Sequence, residues 1–510
     1  MASRPVGVHG AWPPRALYLL LWGLVGLLLT AIVSAGGRLP FEFLLDTRFQ
    51  QQLGRSVFQA ALSATLSVAL GLGLAFLHHH AARRWIPRGL SALLSTVPVM
   101  PTLVVVLMVL AAYGRKGLMP LSGGLYGLTG ILIAHVFLNA PWVAAQLELQ
   151  WQRVPDNQQR LVQQLGLSRR RSFGLLLWPR SRGLLVTQWW LVFLLCFTSF
   201  AIVLVLGGGP RWATLEVALF QAIKLDFDLG RAALIALVQL LVLAPLAWVG
   251  SRAPWLALND RTGAVGPVRT VGFAIAYWLV LGFWLLPMAA LLWRGLGDQW
   301  LAVWSQRAVQ QAALTSLWVG SLSATLVVAM AWVLGQLRRS RSGLDRWLSV
   351  SAWLAFMVPT QVLALGLFLL ARGGGWVSPG AAVVLSNVLL CLPFVGAVLW
   401  PAMDRHHTRS DRLALQWALH GVTRVWRIDL AVLKPVLVWG WVFAFGLSLG
   451  DFGVIALFGT ENFQTLPYLL YQKLGSYRTQ DAFALALWLW LPVWLLFIWA
   501  HRTRSAHATR

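Results

Sequence analysis

The sequence predicts an all-α integral membrane protein of about twelve transmembrane helices in two parallel six-helix repeats. Three observations carry that prediction. Hydrophobic residues make up 58% of the 510 and charged residues only 11%, against roughly a quarter charged in soluble domains. Continuous apolar runs reach the roughly 20 residues that a helix needs to cross a ~30 Å hydrocarbon core. Leu62-Ser63-Ala64-Thr65-Leu66 returns as Leu322-Ser323-Ala324-Thr325-Leu326, about half the chain later and again inside such a run. In lipid the backbone must satisfy its own hydrogen bonds, which leaves helices or a closed barrel. Barrel strands alternate over ~10-residue segments; the runs here do not alternate, so they read as helices.

The first half offers spans at 15–35, 56–77, 90–112, 125–147, 184–206 and 232–250. The second offers 270–293, 312–337, 347–371, 378–401, 435–458 and 482–500. Span one has a basic start and ends at Ser34-Ala35-Gly36, like a signal peptide. Its counterpart at 270–293 cannot be a signal, so span one reads as a retained helix. Lys and Arg in the loops set the orientation. Arg4 and Arg15 precede span one, and Arg83, Arg84 and Arg88 follow span two. Span four leads into the basic stretch 149–183, and Arg252, Arg261 and Arg269 follow span six. Arg338, Arg339, Arg341 and Arg346 follow span eight, 402–434 follows span ten, and Arg502, Arg504 and Arg510 close the chain. With twelve spans these basic segments share one side, which the positive-inside rule makes the cytoplasm, so both termini are expected there; one span more or fewer would scatter them. Six spans per half is even, so the copies run parallel, related by an axis along the membrane normal. The Gly-, Pro- and Arg-containing stretch 251–269 reads as a linker between units 1–255 and 256–510.

The net charge of +25 lies between apolar runs, not on a soluble face, and so sets topology; no nucleic-acid partner is expected. Cys196 and Cys391 sit inside apolar runs and read as packing residues. His78-His79-His80 points three ways from a helix, a poor tetrahedral set, and reads as a basic helix end. No metal site, catalytic constellation or G-x-x-x-x-G-K-[ST] phosphate cradle occurs. Gly207-Gly208-Gly209-Pro210 reads as a turn, and Asp226, Asp228, Glu216 and Glu461 as outer-side acids, either available to a basic patch on a binding protein or part of a solvated loop.

Two cytoplasmic loops are long, 149–183 and 402–434, at equivalent places between the fourth and fifth spans. In the first, Leu161, Val162, Leu165 and Leu167 alternate with polar residues, Gly166 interrupts, and Phe173–Trp178 runs to Pro179. In the second, Leu413, Leu415, Trp417 and Leu419 precede Gly421, and Val425, Ile428, Leu430 and Leu433 lead to Pro435. Glycine accepts the left-handed conformation that ends helices, and proline suits a first helical turn. Each loop therefore reads as helix, glycine turn, second helix.

Gly166 with Pro179, and Gly421 with a proline displaced by one to Pro435, resemble the cytoplasmic loop signature of permease subunits of ATP-binding-cassette importers. The Glu-Ala-Ala triplet of that signature is absent: Arg160-Leu161-Val162 and Leu415-Gln416-Trp417 stand there. Ser199-Phe200-Ala201, Leu206–Pro210, Thr214–Ala218 and Phe227–Ala233 are similar to thiamine importer permeases. So are Ser448–Asp451, Ala456–Gly459, Thr465–Pro467 and Gln472–Arg478. The resemblance implies a type I importer fold and two coupling loops docked on an ATPase subunit dimer that binds the ATP. It also implies a periplasmic thiamine-binding protein, a bacterial inner-membrane location and no cofactor on this chain.

Asp451 is the acid placed inside a span, where a charge is costly and marks function; its repeat partner is Ser199. Its Gly450-Asp451-Phe452-Gly453 setting favours a structural or gating role over contact with the cargo. Path or gate residues are therefore Asp451 and Ser199. The expected function is a transport subunit, not an enzyme, for thiamine and its phosphates. Ferric-iron or polyamine import is the alternative reading. An ion-coupled secondary carrier would carry more intramembrane charges than Asp451.

Overall fold

The computed structural model describes residues 12–35, 40–81, 94, 96–251, 270–297, 299–337, 358–374, 378–417 and 421–508. The linker 252–269, the basic residues at 83–88 and 338–346, and the start of the span expected at 347–371 lie outside them. Among the described residues every element of regular structure is helical.

The first half runs α1 (Trp12–Ala35), α2 (Thr47–His80), α3 (Thr102–Tyr113), α4 (Leu128–Trp151), α5 (Asp156–Gln164) and α6 (Arg169–Ser172). A π turn at Phe173–Leu177 joins α6 to α7 (Trp178–Phe197); α8 (Ala201–Leu206), α9 (Leu215–Lys224) and α10 (Leu229–Ser251) follow. The second half runs α11 (Val271–Gly295), α12 (Gln299–Trp304), α13 (Arg307–Leu337), α14 (Thr360–Gly374), α15 (Pro379–Gln416) and α16 (Gly421–Arg424). Again a π turn, Val425–Asp429, leads into α17 (Leu430–Gly450), before α18 (Gly453–Phe458), α19 (Leu466–Gly475) and α20 (Thr479–Ala508).

Eight helical stretches are long and apolar enough to cross a membrane. They lie in α1, α2, α4, α11, α13, α15, the Val425–Phe458 stretch and α20; α3, Leu229–Leu243 and Thr360–Ala371 are shorter apolar helices. The chain is thus a multi-pass membrane protein. Two expected spans need correction. The span read at 184–206 breaks between Phe197 and Ala201, and the one at 435–458 breaks between Gly450 and Gly453. Hydropathy is continuous across both breaks, which is why the sequence pattern missed them.

Local chemistry explains the helix ends. The Asp46 side chain accepts the Arg48 amide at 2.9 Å and starts α2, supplying an acceptor to an amide with no intrahelical partner. α2 packs on α4 and α7, as α13 packs on α15 and α17. Two hydrogen bonds recur, once in each half. Ser56 Oγ accepts the Leu215 amide at 2.9 Å, and Ser316 Oγ accepts the Leu466 amide at 2.8 Å. Trp189 Nε1 donates to Thr65 Oγ1 at 3.0 Å, and Trp441 Nε1 to Thr325 Oγ1 at 3.1 Å. Thr65 and Thr325 are the threonines of the repeated pentapeptide. Ser56 and Ser316 are both buried, so Ser56→Ala and Ser316→Ala each strand a buried amide. Each is expected to cost about 1–3 kcal/mol, read as a lowered melting temperature of the purified protein.

The halves interlock. α1 packs on α13 and α14 of the second half, and α11 on α2 and α3 of the first. The buried Trp284 of α11 donates Nε1 to the Phe137 carbonyl of α4 at 2.9 Å. Cys196 and Cys391 are free and buried, as packing residues should be. His78 pairs with Glu148 at 2.7 Å, His79 lies against the Trp151 ring and His80 bonds the Phe76 carbonyl, so the three rings have separate partners.

Candidate functional site

The two broken helices meet. At the first break Thr198 closes α7 by donating its amide to the Leu194 carbonyl, and Ser199 and Phe200 turn the chain into α8. At the second, Asp451 does two jobs. Its Oδ1 accepts the Gly453 amide at 3.2 Å and its Oδ2 the Val454 amide at 3.3 Å. Those amides open α18 and have no intrahelical acceptor, so the carboxylate caps that helix. Asp451 therefore stands at a helix junction, which corrects its placement inside a continuous span. The rings of Phe200 and Phe452 stack at 5.6 Å with 12° between planes, joining the breaks.

A cavity of about 250 Å³ opens beside this junction and draws its wall from both halves. Ser199 and Asp451 both line it, so the structure brings together the two residues paired on sequence grounds. Val99 and Pro101, which line it too, press on α17. A Cβ at Gly450 would fall 2.8 Å from Pro101 Cα, and one at Gly446 would fall 2.7 Å from Val99 Cγ1. Only glycine permits that approach.

Two further wall residues escaped the sequence reading. His135 is buried; its Nδ1 lies 2.9 Å from Ser63 Oγ, and among the described residues its Nε2 has no partner. Asn139, one turn on, donates Nδ2 to the His135 carbonyl at 2.8 Å. The signal was available: two polar residues four apart within an apolar run. In the second half Asn387 Nδ2 donates to Ser448 Oγ at 2.7 Å. Glu216 is corrected as well. It is fully buried in α9 and cannot meet a partner's surface; burial pushes its carboxyl well above the usual range.

The long loops form the second candidate region. After α5, Gly166 takes φ +60°. Its amide reaches the Gln163 carbonyl at 3.1 Å and the Leu167 amide the Val162 carbonyl at 3.2 Å, a glycine-closed helix end. Leu161 and Leu165 beside it are 53% and 62% exposed. Pro179 lies in the first turn of α7, as expected. The second loop differs. α15 continues through Gln416, so its first segment is an extension of the preceding span, not a separate helix. Gly421 opens α16. Pro435 lies inside α17 and starts no helix, because the helical path already runs from Gly421 through the π turn. Trp417 and Trp426 flank this segment at 73% and 70% exposure.

Each loop is fastened differently. In the first, Trp151 Nε1 donates to Ser181 Oγ at 2.8 Å and Arg180 Nη2 to Gln158 Oε1 at 2.8 Å. In the second, the buried Asp429 receives His406 Nε2 at 2.7 Å on one oxygen and faces Arg424 Nε at 3.5 Å with the other.

No family model matches the chain. Characterised relatives do. It is 35% identical to the thiamine transport system permease protein ThiP of Brucella abortus, over 94% of this chain and 92% of that protein. It is 36% identical to that of Escherichia coli over 87% of each. Similarity to the spermidine/putrescine transport system permease protein PotC of Haemophilus influenzae is 25%, over 38% of this chain and 77% of that protein. Identity at this level over nearly the whole length means that the chain belongs to the family of thiamine transport system permease proteins.

Proposed function

We infer that this chain is the permease subunit of an ATP-driven thiamine importer of the bacterial inner membrane. Its two six-helix repeats, 1–255 and 256–510, carry about twelve membrane-crossing segments in a type I arrangement, with both termini cytoplasmic. ATP binds and is hydrolysed on a separate ATPase subunit dimer. That dimer docks on the loops around Gly166–Pro179 and Gly421–Pro435. A periplasmic thiamine-binding protein delivers the cargo, and joint movement of the loops switches access to the path between the halves. The observation that carries this reading is the convergence of two broken helices, one from each half, on a single cavity. The recurrent Ser–amide and Trp–Thr hydrogen bonds support the twofold plan. The exposed Leu161, Leu165, Trp417 and Trp426 support docking, since large apolar side chains clustered at a surface mark protein contacts.

The polyamine alternative is disfavoured by the weaker and shorter similarity. Labelled-thiamine uptake by cells with and without the gene tests the cargo, and co-purification of a stoichiometric ATPase tests the partner. A double variant with Gly166→Trp and Gly421→Trp is expected to insert in the membrane yet lose ATP-coupled uptake. Gly166 has open space beside it, so the first substitution acts through its left-handed backbone, which costs about 1–2 kcal/mol for a side-chain-bearing residue. Normal uptake in the double variant would remove the docking role.

A further inference from the structure

We propose that a second cavity, at the first long loop, is a binding site for a phosphate-bearing anion, which fastens that loop as Asp429 fastens the second. Its consequence for ATPase docking rests on the importer reading above; the site itself rests on a comparison of the two loops.

The loops are built alike up to one position. α6 has four residues and runs into a five-residue π turn, and so does α16. Ser172 and Arg424 therefore close the short helices, and Leu177 and Asp429 close the π turns. Trp189 and Trp441, and Phe200 and Phe452, keep the same spacing. In the second half the closing residue is a buried carboxylate, met by the imidazole of His406 and the guanidinium of Arg424. In the first half it is Leu177, and a cavity of about 280 Å³ opens beside it. His79, His80, Gln163, Arg169 and Ser172 lend polar side chains to the wall. Among the described residues no carboxylate lines it; the nearby Glu148 pairs with His78 instead. The first loop thus repeats the imidazole and the guanidinium without the anion between them.

Other contacts hold these groups in place. Arg169 Cζ lies 5.2 Å over the Phe273 ring, a contact that uses no N–H donor, and among the described residues Arg169 makes no ion pair. The planar fork of arginine suits phosphate oxygens taken in pairs. His80 is 4% exposed, with its Nδ1 on the Phe76 carbonyl at 2.9 Å, and His79 packs on the Trp151 ring. In a recess that excludes bulk water, attraction between guanidinium and phosphate is stronger than in solution. The volume is several times the ~30 Å³ share of one water in the liquid, so the recess holds more than a bare phosphate ion. A phosphate ester fits, either the headgroup of an anionic lipid or a free water-soluble ester.

The test follows amide hydrogen exchange in the purified full-length permease in nanodiscs, without the ATPase. Discs of phosphatidylcholine alone receive inorganic phosphate or glycerol 3-phosphate; other discs carry phosphatidylglycerol and no added phosphate. At about ten times its dissociation constant a ligand lowers the opening of the segment it holds about tenfold. Exchange over 156–167 is expected to slow by that factor, with 421–429 unchanged. Slowing by glycerol 3-phosphate identifies a soluble ester, and slowing in the phosphatidylglycerol discs alone identifies a lipid headgroup. Arg169→Gln is expected to abolish the response. Leu177→Asp builds the anion into the chain, as in the second half; it is expected to slow exchange with no ligand present and to remove the response. No slowing under any of the three conditions overturns the proposal, as does an undiminished response in Arg169→Gln. Should Leu177→Asp fail to fold, the Arg169→Gln comparison decides. Co-purification of the ATPase is read separately: its absence removes the importer reading and leaves the anion site standing.

Discussion

Leucine at Gly450 is expected to prevent the two halves from assembling. The glycine faces Pro101 so closely that a bare Cβ would sit 2.8 Å from Pro101 Cα and 2.9 Å from its Cβ. Neither atom can swing aside as a flexible side-chain end would, because the proline ring fixes the local backbone. Overpacking a well-filled site costs about 1–3 kcal/mol, occasionally more, and a collision with backbone belongs at or above the top of that range. Gly446, one turn earlier, meets a side-chain methyl instead, Val99 Cγ1 at 2.7 Å. Gly450→Leu should therefore sharply reduce the folded yield on size-exclusion chromatography of detergent extracts. Gly475→Ala is the control, since nothing lies within 4 Å of a Cβ there; its yield should match wild type. Full recovery of monodisperse Gly450→Leu protein would show that the contact between Pro101 and α17 is dispensable.

Alanine at Asp429 is expected to release the second long loop. Asp429 is 2% exposed and holds the π turn after α16 to His406 on α15, with Arg424 on its other oxygen. Taking one member from a buried charged cluster costs about 3–5 kcal/mol, because the partners stay buried without compensation. The loss falls on the segment proposed to receive the ATPase. The expected result is faster proteolysis at Arg424 and Arg427 and a loss of ATP-coupled uptake, with the first loop resistant as before. Asp429→Asn keeps an acceptor for His406 and should show a smaller effect. Unchanged proteolysis and uptake in Asp429→Ala would mean that the cluster does not fasten the loop.

How far the sequence carried the reading depended on whether a feature leaves a local trace. A helix that must satisfy its backbone in lipid needs a continuous apolar run, so α1, α2, α4, α11, α13, α15 and α20 lie where hydropathy puts them. Gly166 was legible because a left-handed turn has a strong residue preference. The helix breaks were not, since Thr198–Phe200 and Asp451–Phe452 sit in stretches whose composition barely changes. Pro435 misled for a related reason: proline fits both a helix start and a helix interior whose displaced bonds are met elsewhere, and spacing alone does not choose. Glu216 read as a surface acid because burial is a property of the packed chain.

By itself, then, the sequence determined a helical membrane protein with a duplicated motif, two long loops and a family likeness. All of these are written in runs and spacings that neighbours along the chain can enforce. The tertiary structure decided the rest. It brought Ser199 and Asp451 to one cavity, placed His135 in its wall, seated Pro101 on Gly450 and locked His406 to Asp429. Those contacts join residues remote in sequence, and they arise only when packing removes the water and lipid between them.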